Sequence, residues 1–220
     1  MEANKKLGTW SKTKLNTMKH KAVIFCSVFD IKHDAEGKMT SYKARFVAQD
    51  FKQVPGGTFD ETWAPGPKAA TTISLFAVAA AKSWEVHDVD VKTAFLNANL
   101  EKELYIKPSD SIEPERMEKM GRPNLALYRK KQAGRLWGTK LEKELKGLGA
   151  VRSKVDPCLY EWHHPVHGSV FILLYVDDLI VAEEKLAGVD AFKRSVSAMF
   201  DVRDMGEVYD FIGMKVIATA

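Results

Sequence analysis

With 220 residues, 45% of them hydrophobic and 28% charged, the chain has ordinary globular composition, which excludes a disordered tail and leaves one domain or two small ones. The longest uncharged apolar stretch, Val170 to Val176, is far shorter than the ~20 residues a membrane span needs, and Met1 to Lys6 lacks a signal-peptide core, so a soluble intracellular protein with no membrane partner is expected. The net charge of +4 is uneven, because residues 1–56 carry 11 Lys and Arg against 5 Asp and Glu, a balance that suits either a phosphate-rich partner or a solvated surface.

Residues 1–20 show no sustained periodicity and read as a loosely ordered basic arm. The run Ala22 to Phe29 favours a strand, and the Asp34 to Lys38 cluster predicts a hairpin turn before a second strand within Tyr42 to Phe51. After the breaks at Pro55-Gly56-Gly57 and Pro65-Gly66-Pro67, a helix is predicted over Thr71 to Ser83, with Ile73, Phe76, Ala77 and Ala80 on its buried face.

A short strand over Val86 to Val91 follows, then a Pro- and Glu-rich region from Pro108 to Pro123. A helix spans Gly134 to Leu148, where Trp137, Leu141, Leu145 and Leu148 recur at helical spacing and Gly149 terminates it. Cys158 to Trp162 reads as a strand, and Val170 to Ala182 as strand structure folding at its own centre or with its neighbour. Val189, Phe192, Val196 and Met199 mark an amphipathic helix, and a last strand ends near Phe200 to Val202. The order strand, helix, strand, strand, helix, strand is the ferredoxin-like βαββαβ plan, a four-stranded antiparallel sheet backed by two helices in an α+β fold. Cys26 and Cys158 are far apart and outside any metal-binding spacing, so both are expected to be reduced core residues.

Chemistry is concentrated in acids. Asp177 and Asp178 interrupt the apolar run Phe171 to Ala182; a bare Asp-Asp between strands also makes a tight turn, and spacing alone leaves both readings open. Asp90 closes the Val86 to Val91 strand, which the βαββαβ plan can bring beside the Asp177-Asp178 hairpin; alone, it could cap a helical turn over Val91 to Leu96. Two carboxylates about 4 Å apart repel by roughly 4 kcal/mol at an effective dielectric of 20, so three converging acids need shifted pKa values or a cation. Mg²⁺, a hard ion that leaves sites for phosphate oxygens, suits them.

Seven stretches, in order over nearly the whole chain, resemble copia-type retrotransposon reverse transcriptases: Tyr42 to Gln49, Phe59 to Pro65, Val89 to Asn97, Gln132 to Trp137, Asp156 to Tyr160, Tyr175 to Asp178, and Met205 to Glu207 with Phe211 to Gly213. The resemblance implies an RNA-directed DNA polymerase with a fingers subdomain and a ferredoxin-like palm, the thumb and RNase H regions being absent. In these terms 1–20 is the arm, 21–84 fingers-like, 85–97 the first palm strand and turn, 98–130 a fingers-like return and 131–220 palm.

The same resemblance implies that Asp90, Asp177 and Asp178 are catalytic and hold two Mg²⁺ ions, with Mn²⁺ as a substitute. Lys43 and Arg45 would grip the nucleotide triphosphate, Phe95 would lie under the incoming sugar, Gln132 near the base and sugar, and Tyr175 at the primer terminus. Read from residue type alone, Lys43 and Arg45 are solvated strand charges, Phe95 and Tyr175 core aromatics and Gln132 a surface amide. The implied partners are an RNA or DNA template with its primer and deoxynucleoside triphosphates, in a cytoplasmic particle or the nucleus. The chain departs from the family pattern at Ser27, Asp50, Gly66-Pro67 and Arg129-Lys130, which keeps open the alternative of a catalytically inactive, truncated transposon remnant that at most binds nucleic acid. An RNA-recognition module would need exposed aromatics on its central strands in place of Asp177-Asp178.

Overall fold

The structure, a computed structural model, describes residues 10–13, 23–33, 37–48, 56, 60–100, 106–108, 120–123 and 132–217. The chain divides into two compact units, residues 1–63 with 95–137 and residues 64–94 with 138–220.

The first unit is built on a five-stranded sheet. Strand β1 is Trp10–Thr13, β2 Val23–His33, β3 Met39–Ala48, β5 Ile106–Pro108 and β6 Met120–Pro123, in the order β1-β6-β5-β2-β3. The expected β2–β3 hairpin is present, with Asp30 across from Lys43 and Val28 across from Arg45. Within the expected arm, Trp10–Thr13 is a strand paired to β6, a tertiary pairing that local periodicity does not announce; the rest of the arm lies outside the described residues.

The second unit is a six-stranded antiparallel sheet with helices. Its strands are β4 (Glu85–Val91), β7 (Val151–Arg152), β8 (Leu159–His164), β9 (Gly168–Tyr175), β10 (Asp178–Glu183) and β11 (Val202–Glu207), in the order β11-β4-β10-β9-β8-β7. The run β11-β4-β10-β9 has the strand order of the βαββαβ plan, and β8 and β7 extend it. The last sheet strand begins at Val202, where a terminus near Phe200 to Val202 was expected: Phe200 is buried and closes the preceding helix. A small hairpin, β12 (Asp210–Phe211) with β13 (Met214–Lys215), follows.

Helix α1 is Ala69–Lys82, α2 Ala133–Gly147 and α3 Leu186–Met199. Among the described residues no helix is long and apolar enough to cross a membrane. In α2, Trp137, Leu141 and Leu145 are buried as their spacing predicts, and Gly149 takes φ +88 while the Ala150 N–H reaches back to the Leu145 carbonyl. In α3, Val189, Phe192 and Val196 are buried, and the helix packs on β4, β9 and β10.

Of the four residues expected on one face of α1, Phe76 packs partly buried against the core and the other three do not. Thr72, Leu75 and Ala79 are buried, while Ile73 is 58% exposed and Ala77 and Ala80 are exposed. An Ala-rich helix carries a weak apolar stripe, and the contact that orients it comes from elsewhere: Leu75 joins Leu173, Ile180, Ala182, Cys158, Val208 and Phe211 in one core cluster. The same packing puts α1 in the second unit, so the boundary falls after residue 63 rather than 84.

The α1 N-terminus has no side-chain cap of its own. Asp156, fully buried, supplies one from across the fold, accepting the Lys68 N–H at 2.8 Å and the Cys158 N–H at 2.9 Å while Lys68 Nζ donates to the Val155 carbonyl at 2.7 Å. Burial pushes the Asp156 carboxyl up, but hydrogen bonds from Thr71, Cys158 and Lys68 and the Lys68 charge outweigh it and leave the pKa lowered. Cys158 is a free, buried thiol, raised to about 11 by burial and then by the Asp156 charge; the Cys26 side chain lies outside the described set.

Candidate active site

Strand β10 is the apolar centre of the sheet, with Leu179, Ile180, Val181 and Ala182 fully buried. Its first residue is Asp178, which pairs with Asp90 on β4. Directly opposed residues of an antiparallel pair project from the same face, so these two acids, 88 positions apart in sequence, share one surface at one end of the sheet. Asp88, two residues before Asp90 on β4, is on that face as well.

Asp177 is held by the turn. Tyr175 pairs with Asp178, leaving Val176 and Asp177 as the two loop residues of a tight hairpin. Val176 takes φ +57 and Asp177 stays at negative φ, the pattern of a II′-like turn, without the glycine such turns usually place first. A β-branched residue in the left-handed region is strained. The turn is tied to β4 by the Val91 N–H, which donates to the Asp177 carbonyl at 2.8 Å.

The acids act on one another. Asp178 is pushed up to about 7, first by burial and then by the charges of Asp88, Asp177 and Asp90. Asp88 is also raised, by burial and then by Asp90, against a lowering bond from the Val89 N–H. Its Oδ1 is buried with no hydrogen-bond partner among the described residues. Among those residues no three His, Cys, Asp or Glu side chains are already gathered in metal-ligand geometry. What the backbone supplies is a shared surface and mutual repulsion, the condition a hard cation relieves.

Of the residues singled out in the sequence, Asp90, Asp177, Asp178 and Tyr175 come together in the second unit. Tyr175 is 38% exposed, its ring edge-on to Phe211 with centroids 6.1 Å apart, so it is half solvent-facing rather than a core aromatic. Phe95 lies half-buried in a 3₁₀ turn, Ala94–Asn97, and Gln132 precedes α2, both in the first unit. Gln132 is only 5% exposed, so it is no surface amide, and its carbonyl accepts the Leu136 N–H at 3.0 Å. Lys43 and Arg45 lie in β3, and their side chains fall outside the described set.

Asp88 was missed. The signal is plain once β4 is known to be a strand: Asp88 and Asp90 alternate with Val89 and Val91, the acids half-buried on one face and the valines buried on the other.

The family model described as "Reverse transcriptase (RNA-dependent DNA polymerase)" matches residues 8–220. The chain is 34% identical over 219 residues to the "Retrovirus-related Pol polyprotein from transposon TNT 1-94" of Nicotiana tabacum, an alignment covering 99% of this chain and 16% of that protein. It is 30% identical to the Pol polyprotein from transposon RE1 of Arabidopsis thaliana, over 89% of this chain and 13% of the relative, and 30% identical to the "Putative transposon Ty5-1 protein" of Saccharomyces cerevisiae, over 58% and 42%. It thus spans about a sixth of the tobacco polyprotein or less of the Arabidopsis one. A match over nearly the full length, on a sheet that aligns Asp90 with Asp178, makes this chain a member of the reverse transcriptase (RNA-dependent DNA polymerase) family, of the copia-type retrotransposon kind.

Proposed function

We propose that the chain carries the nucleotidyl-transfer site of an RNA-directed DNA polymerase, with the six-stranded unit as palm and the five-stranded unit as fingers. The observation that carries this reading is the Asp90–Asp178 register, with Asp177 in the adjoining turn. Asp90, Asp177 and Asp178 would hold the divalent ions, two Mg²⁺ with Mn²⁺ as a substitute. Their donor set is all carboxylate oxygen, and Asp178 is pushed up first by burial and then by the neighbouring acids, whose repulsion a cation would offset. Bound there, the ions supply activation of a primer 3′-hydroxyl and neutralisation of the departing pyrophosphate.

The chain's own groups do the rest. The hairpin, locked by the Val91 to Asp177 bond, fixes the carboxylates on a rigid strand pair. Tyr175 would touch the primer terminus, a role that its pairing with Asp178 and its partial exposure support. Lys43 and Arg45 would bind the triphosphate, Phe95 would pack under the sugar, and Gln132 would brace the base. The substrates are a primed RNA or DNA template and deoxynucleoside triphosphates, sequence being read by base pairing.

Primer extension on an RNA template with Mg²⁺, comparing the chain with Asp177→Asn, tests the reading. Loss of a metal ligand is expected to lower the rate roughly thousandfold, equivalent to about 4 kcal/mol of transition-state stabilisation. No extension above background by either protein would leave an inactive remnant as the better account, and equal rates above it would take Asp177 out of the metal site.

A further inference from the structure

The acid-bearing surface has a cation on it. Arg203, on the edge strand β11, pairs directly with Asp90, so a single row across β9, β10, β4 and β11 reads Tyr175, Asp178, Asp90, Arg203 on one face. The facing of Arg203 is fixed by its neighbour. Asp204 projects to the opposite face, where it takes Lys193 Nζ of α3 at 2.8 Å, and the same Nζ lies 2.8 Å from His87 Nδ1. Strand β11 is thereby clamped to α3 and β4.

Two cations near this row are engaged, Lys92 with Asp201 and Lys193 with Asp204. Arg203 is exposed and makes no ion pair or hydrogen bond among the described residues. A guanidinium is permanently charged and offers a planar fork that matches two oxygens of a phosphate. A surface of acids repels a polyphosphate substrate; a free guanidinium in the same row offsets that repulsion at one point.

We propose that Arg203 is a substrate-contacting residue that takes a phosphate of the reacting pair, on the incoming triphosphate or on the primer backbone. The assignment rests on the polymerase reading above. The competing role for Arg203 is a bare edge-strand charge that blocks unwanted pairing, which requires no ligand.

Two binding probes in Mg²⁺ buffer separate these without turnover. One is an RNA template annealed to a DNA primer ending in a dideoxynucleotide, followed by fluorescence anisotropy over a salt series. The other is the next complementary deoxynucleoside triphosphate, titrated into that complex. Arg203→Ala is expected to weaken one probe about tenfold, with Arg203→Lys in between. Arg194→Ala, which removes an exposed cation from α3, is expected to change either by less than about twofold. Weaker hybrid binding with a log–log salt slope reduced by roughly one assigns the primer phosphate. Weaker nucleotide binding with an unchanged hybrid slope assigns the triphosphate. Affinities within twofold for both probes, or an equal loss in Arg194→Ala, overturn the proposal. If they do so while Asp177→Asn still abolishes extension, the inference fails alone; if the unaltered chain binds neither probe, both readings fail.

Discussion

In the six-stranded unit Phe192 and Ile172 are fully buried, whereas on the β2–β3 hairpin of the five-stranded unit Phe29 and Tyr42 are 79% and 78% exposed. Phe29 and Ile31 alternate along β2, and Ile31 pairs with Tyr42, so the exposed apolar groups share one face. The two regions spend similar side chains differently. One uses them to immobilise a sheet whose end carries the acids; the other displays them. A site that must hold carboxylates against their own repulsion gains from the first arrangement, because the strands cannot move apart without opening a packed core.

Matched truncations break or sharpen that contrast. Phe192→Ala is expected to cost about 3–5 kcal/mol in urea unfolding, and Phe29→Ala less than about 0.5. A comparable loss at Phe29 would mean that the hairpin face is not free. Asp156→Ala should cost about 2–3 kcal/mol, because it leaves the buried N–H of Cys158 and the part-buried N–H of Lys68 unsatisfied and uncaps α1. Its lowered pKa sets the sign with pH: the stabilisation is present above the ordinary carboxylate range and fades as pH falls through it, so the mutant and parent melting curves converge in acid.

Asp178 has the opposite sign. Its folded pKa of about 7 stands above the ordinary 3.8, so between those values the folded chain keeps a proton that the unfolded chain has released. In metal-free buffer the melting temperature should therefore fall as pH rises from about 4 to about 7, the fall should shrink in Asp178→Asn, and millimolar Mg²⁺ should reverse it in the parent near pH 8. A flat profile in the parent would mean that the acids do not confront one another. A small effect is also expected at the turn. Val176→Gly relieves a left-handed φ but adds freedom to the unfolded chain, so the two terms nearly cancel, within about 1 kcal/mol by thermal melting.

Most elements of the six-stranded unit were legible because its periodicities are strong: the α2 and α3 stripes and the strands that carry Asp90 and Asp178 follow from side-chain spacing. The face of α1 was not, since its orientation is set by Leu75 and by Asp156, which is 88 residues from the Lys68 it caps. Neither were the roles of β1 and Asp88, which depend on pairing partners that local pattern does not name. Of the candidate site, the three acids and Tyr175 were singled out from order and resemblance, but the row that Tyr175, Asp178 and Asp90 form with Arg203 emerges only from strand register.

That row has a bearing on how transposon copies age. Because neighbouring residues of a strand point to opposite sides, losing or gaining one codon in frame between Asp178 and Glu183 would either turn the aspartate under the sheet or exchange the four buried residues behind it between two differently packed faces. Point substitutions can accumulate around this hairpin far more readily than changes of length, so surviving copies should differ in spelling here and agree in residue count.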